Sequence, residues 1–266
     1  MDSRERARLT RGQVLRTISG AGLGHVGGDF SVTDILAVLF TDVLRFDPAN
    51  PNWPERDRFV LSKGHAAVSL YTTLAMSGYF ELEELDSFAA EQSMLNGHPA
   101  RAKVPGVETS TGPLGHGLPV GVGMAVGARI RGEQWKTFVV TGDGELQEGS
   151  NWEAAMFAGH RELGNLTLIV DRNRLQQGAR TEETNALDPL DEKFDAFGWE
   201  VKQIDGHDHD ELRSALMGTH AKPLVIIANT TKGRGVSFME DLAVWHHKVP
   251  SQEQVDQGLE EIGTHS

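Results

Sequence analysis

The chain has 266 residues, of which 39% are hydrophobic and 24% are charged, and this composition excludes a disordered or fibrous protein. Its 25 basic and 38 acidic residues give a formal net charge of -13, so nucleic acid is not an expected partner. The sequence contains no cysteine, which excludes disulfides, thiolate nucleophiles and cysteine-bound zinc.

Neither a membrane span nor a secretory signal is expected. The longest stretch of low charge, residues 112–128, is rich in glycine and shorter than the roughly 20 apolar residues that cross a bilayer. The N-terminus lacks the apolar run of a signal peptide. Because no linker, repeat or low-complexity tract interrupts the chain, we expect one domain over residues 1–266, located in the cytoplasm and without a membrane partner.

The N-terminal part of the chain has a helical pattern. Apolar residues at helical spacing predict a first helix around residues 9–18, and the glycine-rich segment Gly20–Gly28 is expected to end it. We expect Ser31 or Thr33 to cap a second helix. The next predicted elements are a buried strand at Arg58–Leu61 and a helix at Ala66–Met76.

From Trp135 onward, apolar β-branched segments alternate with helical segments. The predicted strands are Thr137–Thr141, Leu166–Val170, Val201–Ile204 and Leu224–Ala228. The predicted helices are near Trp152–Arg161, Leu190–Ala196 and Asp210–Thr219. This alternation predicts an α/β fold, a parallel sheet with helices on both faces. We expect the polar tail after Ser251 to pack loosely or to reach toward a partner.

Polar residues follow two of the predicted strands. The sequence Gly142-Asp143-Gly144 comes after one strand, and Asn173 comes after the next. Because ligands gather at the carboxyl ends of parallel strands, we expect these residues to share one site. The flanking glycines would let a diphosphate approach the backbone. The Asp143 carboxylate, the Asn173 amide, a backbone carbonyl and diphosphate oxygens form an all-oxygen ligand set suited to Mg²⁺ or Ca²⁺.

The Gly-Asp-Gly motif followed about thirty residues later by Asn resembles the thiamine diphosphate enzymes. More closely, six ordered motifs resemble the N-terminal half of transketolase. They are Gly24-His25, Ser62-Lys63-Gly64-His65-Ala66, Gly97-His98-Pro99, Thr111-Gly112-Pro113-Leu114-Gly115, the run from Gly142 to Ser150, and Lys232-Gly233-Arg234-Gly235 continuing to Trp245-His246. The resemblance covers nearly the whole chain and implies the thiamine diphosphate-binding fold of the diphosphate domain. A Gly-x-Gly-x-x-Gly match at residues 22–27 is rejected because no strand precedes it.

The resemblance implies a role for individual residues. The metal ligands would be Asp143, the Asn173 side chain and the Leu175 carbonyl. Cofactor contacts would come from His65, Gly112, Pro113, Leu114, Gly142, Gly144, Asn173, Gln177, Lys232 and His246. The catalytic residues, which would line the substrate channel and move protons of sugar hydroxyls, would be His25, His65, His98 and His246. Four further histidines, at 207, 209, 220 and 265, match no motif and are assigned to helix caps or the surface.

The sequence departs from the family pattern near the expected substrate channel. Val26 follows the first histidine in place of Pro, and His116 stands where the family has Gln. An additional histidine, His247, follows Trp245-His246. These departures leave cofactor binding intact and make substrate preference an open question.

Transketolase moves a two-carbon ketol unit from a ketose to an aldose, and its activating glutamate belongs to a separate pyrimidine-binding domain. We expect no counterpart of that domain within residues 1–266. We therefore expect the N-terminal subunit of a split transketolase, which uses thiamine diphosphate and Mg²⁺ or Ca²⁺ and acts on sugars or sugar phosphates. Its partner would be a C-terminal subunit that carries the pyrimidine domain and the activating glutamate, in an α₂β₂ assembly.

Other functions stay open at this point. Half of a deoxyxylulose-phosphate synthase-like enzyme, or the α subunit of a 2-oxoacid dehydrogenase, would use the same cofactor, although the Gly-Pro-Leu and Trp-His motifs favour transketolase. A non-catalytic relative would be expected to lose metal ligands or channel histidines. A metal-dependent hydrolase is disfavoured because the sequence has no His-Glu-x-x-His motif.

Overall fold

A single sheet of five parallel strands lies at the centre of the computed structural model, which describes residues 1–264. The strands are β1 (Arg58–Leu61), β2 (Thr137–Gly142), β3 (Leu166–Arg172), β4 (Glu200–Asp205) and β5 (Leu224–Asn229). Their spatial order is β1-β2-β3-β5-β4, and every neighbouring pair is parallel. The predicted parallel sheet is confirmed.

Nine α-helices surround the sheet in the part of the chain that the structure describes. They are α1 (Ser3–Ala21), α2 (Val26–Val38), α3 (Ala67–Met76), α4 (Gly117–Arg131), α5 (Gly149–His160), α6 (Thr181–Thr184), α7 (Leu190–Ala196), α8 (His209–Leu216) and α9 (Gln252–Ile262). Within residues 1–264, no helix combines the length and the apolar character that crossing a bilayer requires.

Two apolar cores cover the opposite faces of the sheet. Along β2, Phe138 and Val140 enter the core formed with α1, α2 and α3, whereas Val139 enters the core formed with α4, α5 and α7. Successive strand residues point to opposite faces, so a strand buried on both sides needs a continuous apolar run. Each fully buried Val or Phe contributes roughly 1.5–3 kcal/mol to stability. These runs explain why the strands could be predicted.

The predicted cap of the second helix is wrong. Helix α2 begins at Val26, so Ser31 and Thr33 lie inside it. The glycines in its first turn allow close packing: a Cβ on Gly27 would lie 2.9 Å from the Trp245 carbonyl oxygen and 3.0 Å from Lys232 Cγ. The expected end of the first helix within Gly20–Gly28 is confirmed, since α1 ends at Ala21 with Gly22 as its cap. The last glycines of that segment belong to α2, at a point where two chain segments approach each other.

The expectation of a loosely packed tail is also wrong. Helix α9 begins with a capping box between Ser251 and Gln254 and packs against α1. Val255 is buried in this contact, and a Cβ on Gly258 would lie 2.8 Å from Leu15 Cδ1. Most residues of α9 are polar and its apolar stripe is narrow. The sequence pattern therefore did not predict that this helix packs against the rest of the fold.

Candidate active site

The predicted site residues meet in one cavity of about 450 Å³ at the carboxyl ends of β1, β2, β3 and β5. The lining residues that the sequence predicted are His25, His65, His98, Gly112, Leu114, Gly142, Asp143, Gly144, Asn173, Leu175, Gln177, Lys232 and His246. Of the predicted contacts, Pro113 does not line the cavity. The cavity therefore lies at the carboxyl edge of the parallel sheet, where ligand sites are expected.

The three predicted metal ligands present an all-oxygen donor set. Asp143 is 1% exposed, and its carboxylate accepts hydrogen bonds from the backbone N–H groups of Gly144 at 2.8 Å and Arg174 at 2.6 Å. The Asn173 oxygen accepts from the Leu175 N–H at 3.0 Å. The Leu175 carbonyl accepts from Lys232 Nζ at 3.1 Å. A carboxylate, an amide oxygen and a carbonyl oxygen fit a hard divalent cation.

Burial raises the pKa of Asp143 even though the Arg172 guanidinium lies 3.1 Å away and lowers it. The same guanidinium also contacts Glu182 at 2.6 Å and Asp188 at 3.1 Å, so its charge is shared among three carboxylates. The chain alone therefore leaves Asp143 incompletely compensated. A divalent cation bound there would supply the missing positive charge, so the residues present fit a metal ion.

Two buried lysines bring positive charge to the cavity. Lys63, after β1, donates to Asp171 at 2.5 Å and to the Gly28 carbonyl at 2.9 Å. Lys232, after β5, is 2% exposed and also donates to His246 Nδ1 at 2.8 Å. Burial and the neighbouring Lys63 lower the pKa of Lys232 to about 8, so it is still largely cationic at neutral pH. Two ammonium groups beside an oxygen-rich edge suit a diphosphate.

Five imidazoles crowd the mouth of the cavity. The ring of His25 lies 5.2 Å from that of His65, 6.3 Å from His98, 5.5 Å from His246 and 4.3 Å from His247. Burial lowers the pKa of His25 to about 4 and that of His246 to about 2, and nearby cations and imidazoles contribute to both shifts. These two rings are neutral at neutral pH, so each offers one N–H donor and one lone pair for proton movement.

Sequence reasoning gave no role to two buried residues beside the site. Lys63 forms the ion pair described above. Glu145 accepts hydrogen bonds from the backbone N–H of Gly115 at 3.0 Å and of Gly142 at 3.1 Å, and it also bonds the Ser62 hydroxyl. It thus ties three motifs together. Lys63 and Glu145 both lie inside motifs that resemble transketolase. That resemblance is the sequence signal that could have identified them.

The assignment of the unmatched histidines to caps or the surface is wrong for two of them. His209 is buried and His207 is half-buried, and both bond the Asp34 carboxylate. The helix cap at this position is Asp208. His220 bonds Glu200 at 2.8 Å. His265 lies outside the described residues.

Comparison with known proteins identifies the family of this fold. Residues 3–265 match the family model described as "Transketolase, thiamine diphosphate binding domain". The chain is 47% identical over 251 residues to an apulose-4-phosphate transketolase subunit of Actinobacillus succinogenes, covering 94% of this chain and 91% of that protein. It is 41% identical over 265 residues to the 6-deoxy-6-sulfo-D-fructose transketolase subunit SqwG of a Clostridium species, covering 98% of this chain and 96% of the relative.

Solved structures show the same fold. The transketolase of Campylobacter jejuni superimposes with a TM-score of 0.92 at 33% identity, over 98% of this chain and 42% of that protein. The transketolase of Leishmania mexicana gives a TM-score of 0.93 at 32% identity, over 99% of this chain and 41% of that protein. The chain therefore spans about two fifths of these transketolases but nearly all of the two smaller relatives.

Proposed function

The chain belongs to the transketolase family through its thiamine diphosphate binding domain, and we propose that it is the N-terminal subunit of a split transketolase. In this proposal, residues 1–266 form one diphosphate-binding domain. The single observation that carries it is the cavity in which Asp143, Asn173 and the Leu175 carbonyl lie beside the channel histidines. The names of the relatives favour transketolase over a deoxyxylulose-phosphate synthase-like or 2-oxoacid dehydrogenase half.

The cofactor site follows from the donor set. We propose that Asp143, Asn173 and the Leu175 carbonyl hold Mg²⁺, or Ca²⁺, against the cofactor's diphosphate. Gly142 and Gly144, which carry no side chains, leave room beside the carboxylate for the phosphate oxygens. When bound, thiamine diphosphate supplies the carbanion stabilisation that cleavage of a carbon–carbon bond needs.

The remaining site residues would contact the cofactor and the substrate. The proposed cofactor contacts are His65, Gly112, Leu114, Gln177, Lys232 and His246, and Pro113 is left out because it does not line the cavity. The neutral imidazoles of His25, His65, His98 and His246 would orient sugar hydroxyls and accept or return their protons. The activating glutamate is assigned to the partner, because the described residues of this cavity include no carboxylate beyond Asp143 and Glu145.

The proposed partner is a C-terminal subunit with the pyrimidine domain, in an α₂β₂ assembly located in the cytoplasm. The relatives named as subunits support a partner. Ile130 on α4 is 80% exposed and Met156 on the neighbouring helix α5 is 56% exposed, and in this proposal the partner covers them. The proposed substrates are sugars or sugar phosphates.

Reconstitution tests this function. The purified chain is assayed for ketol transfer between a ketose phosphate and an aldose phosphate, with thiamine diphosphate and Mg²⁺, by itself and after addition of the C-terminal subunit. We expect turnover with both subunits and none with this chain by itself. Substantial turnover by the lone chain, or none by the assembled pair across phosphorylated and unphosphorylated sugars, would contradict the proposal.

A further inference from the structure

A buried polar cluster lies behind the cofactor cavity, between α1, α2 and the loop that leads into α8. Its centre is the Asp34 carboxylate, which is 4% exposed. Arg11 forms a two-pronged ion pair with it, at 2.5 Å and 3.1 Å. His207 Nδ1 lies 2.6 Å from one carboxylate oxygen, and His209 Nε2 lies 3.1 Å from the other. The proposed reaction gives this cluster no role.

The second nitrogen of His207 extends the cluster to the backbone. The Thr231 N–H donates to His207 Nε2 at 2.8 Å. Because Nε2 accepts this hydrogen bond, it carries no proton, and the proton of the neutral ring is on Nδ1, where it is donated to Asp34. A continuous chain of hydrogen bonds therefore runs from Asp34 through the His207 ring to the backbone of Thr231.

Thr231 immediately precedes Lys232, whose ammonium group reaches the Leu175 carbonyl and His246 in the cavity. The next residue, Gly233, donates its N–H to the Gly27 carbonyl at 3.1 Å. The contacts that hold the turn after β5 thus include one on α2 and one on His207. Asp34 belongs to α2 as well, so the His207 contact ties the turn to the helix that also carries Gly28 at the cavity wall.

We infer that His207 is a positioning residue for cofactor binding, because its Nε2 fixes the Thr231 backbone and thereby the place of Lys232 in the site. This inference rests on the proposed function of the cavity. His207 lies outside the cofactor cavity, so it acts through the backbone of Thr231 and touches neither the cofactor nor the substrate.

Two substitutions separate the two hydrogen bonds of His207. The amide of an asparagine side chain can occupy the place of Nδ1, so His207→Asn keeps a donor for Asp34 and loses the contact to Thr231. The amide of glutamine reaches the place of Nε2, so His207→Gln keeps an acceptor for the Thr231 N–H and loses the contact to Asp34. Each variant loses one partly buried hydrogen bond, which makes them matched controls for stability.

The experiment measures thiamine diphosphate affinity by calorimetry in Mg²⁺, on the enzyme assembled with its C-terminal subunit. We expect His207→Asn to weaken affinity about five- to tenfold, the worth of one net hydrogen bond, and His207→Gln to stay within about twofold of the wild type. Both variants are expected to lower the melting temperature by similar amounts. A merely structural role would lower the two melting temperatures and leave the two affinities equal, and that result overturns the inference.

Failure of the proposed function would look different, because the wild-type assembly itself would then bind no thiamine diphosphate. If His207→Asn does not fold, deuterium exchange of the wild-type assembly tests the same inference. Addition of thiamine diphosphate and Mg²⁺ should slow deuterium exchange in a peptide spanning residues 229–235 and also in one spanning residues 205–209. Protection of the first peptide without the second would overturn the inference, since coupled segments respond together.

Discussion

Two aspartates at the same edge of the sheet have opposite surroundings. Asp171 lies in β3 in register with Gly142, the residue before Asp143, and both carboxylates are buried. Burial would raise the pKa of Asp171, but the Lys63 ammonium and hydrogen bonds from Lys63, Ser31 and Thr230 outweigh it and lower the pKa. For Asp143, burial outweighs Arg172 and the pKa is raised.

The difference shows which carboxylate the chain itself satisfies. Asp171 has its own lysine, so it serves the fold by joining β3 to Lys63 after β1. Asp143 shares one arginine with Glu182 and Asp188, so its charge is only partly balanced by protein groups. We infer that Asp171 is a structural anchor and that Asp143 is the residue that receives an external cation.

The largest expected effect is the loss of stability when the buried Lys63–Asp171 ion pair is broken. Lys63→Met removes the ammonium group and leaves the Asp171 carboxylate buried without a cationic partner. We expect the free energy of unfolding, measured by urea denaturation, to fall by about 3–5 kcal/mol, which is typical when one member of a buried ion pair is removed. The double variant Lys63→Met/Asp171→Asn should recover part of this loss. A loss below about 1 kcal/mol for the single variant would remove the distinction between the two aspartates.

Substitution of Asp143 should reduce activity and leave the stability of the fold nearly unchanged. We expect Asp143→Asn to reduce ketol transfer by the assembled enzyme at least about 100-fold, since partners of metal ligands already cost about 10–100-fold when they are changed. Its stability should stay near that of the wild type because burial already penalises the charged form. Asp188→Asn is the matched control, because Asp188 contacts the same Arg172 from an exposed position. Equal activity of the two variants would contradict the assignment.

Another buried aspartate, Asp29, should make stability depend on pH. Its Oδ1 accepts from the Ser69 N–H at 2.8 Å, and its Oδ2 has no hydrogen-bond partner among the described residues. Burial raises the pKa of Asp29 to about 7. Between about pH 4 and pH 7 the folded chain therefore binds this proton more tightly than the unfolded chain, and its contribution to stability falls by about 1.4 kcal/mol per pH unit as the pH rises.

Asp29→Asn keeps the acceptor for Ser69 and cannot ionise, so this part of the pH dependence should disappear. Urea denaturation of the wild type and the variant at pH 5, 6 and 7 measures the change, with the exposed Asp86→Asn as control. Identical slopes for the wild type and Asp29→Asn would show that Asp29 does not titrate in this range.

The sheet and the oxygen-rich edge could be predicted from the sequence because both depend on local signals. Strands buried on both faces are continuous apolar runs, and the residues that follow them lie at one edge, which places Asp143 near Asn173 without knowledge of the strand order. The channel histidines lie far apart in the sequence, and only the resemblance to transketolase grouped them.

The features that were missed depend on contacts between distant segments. Helix α2 includes Gly27 because Trp245 and Lys232 pack against that glycine, and neither neighbour is visible in the local pattern. The hydrogen bond of His207 to Asp34 joins residues that are 173 positions apart in the chain. Local propensity cannot report such pairings, so both segments were given their commonest local interpretation.

The most direct test of the central claim is a calorimetric titration of the assembled wild-type enzyme with thiamine diphosphate, in Mg²⁺ and in EDTA. If Asp143, Asn173 and the Leu175 carbonyl hold a cation against the diphosphate, binding should be tight in Mg²⁺, be lost in EDTA and return when Ca²⁺ or Mg²⁺ is restored. Equal affinity in Mg²⁺ and in EDTA would contradict the claim that this edge of the sheet binds its cofactor through a metal ion.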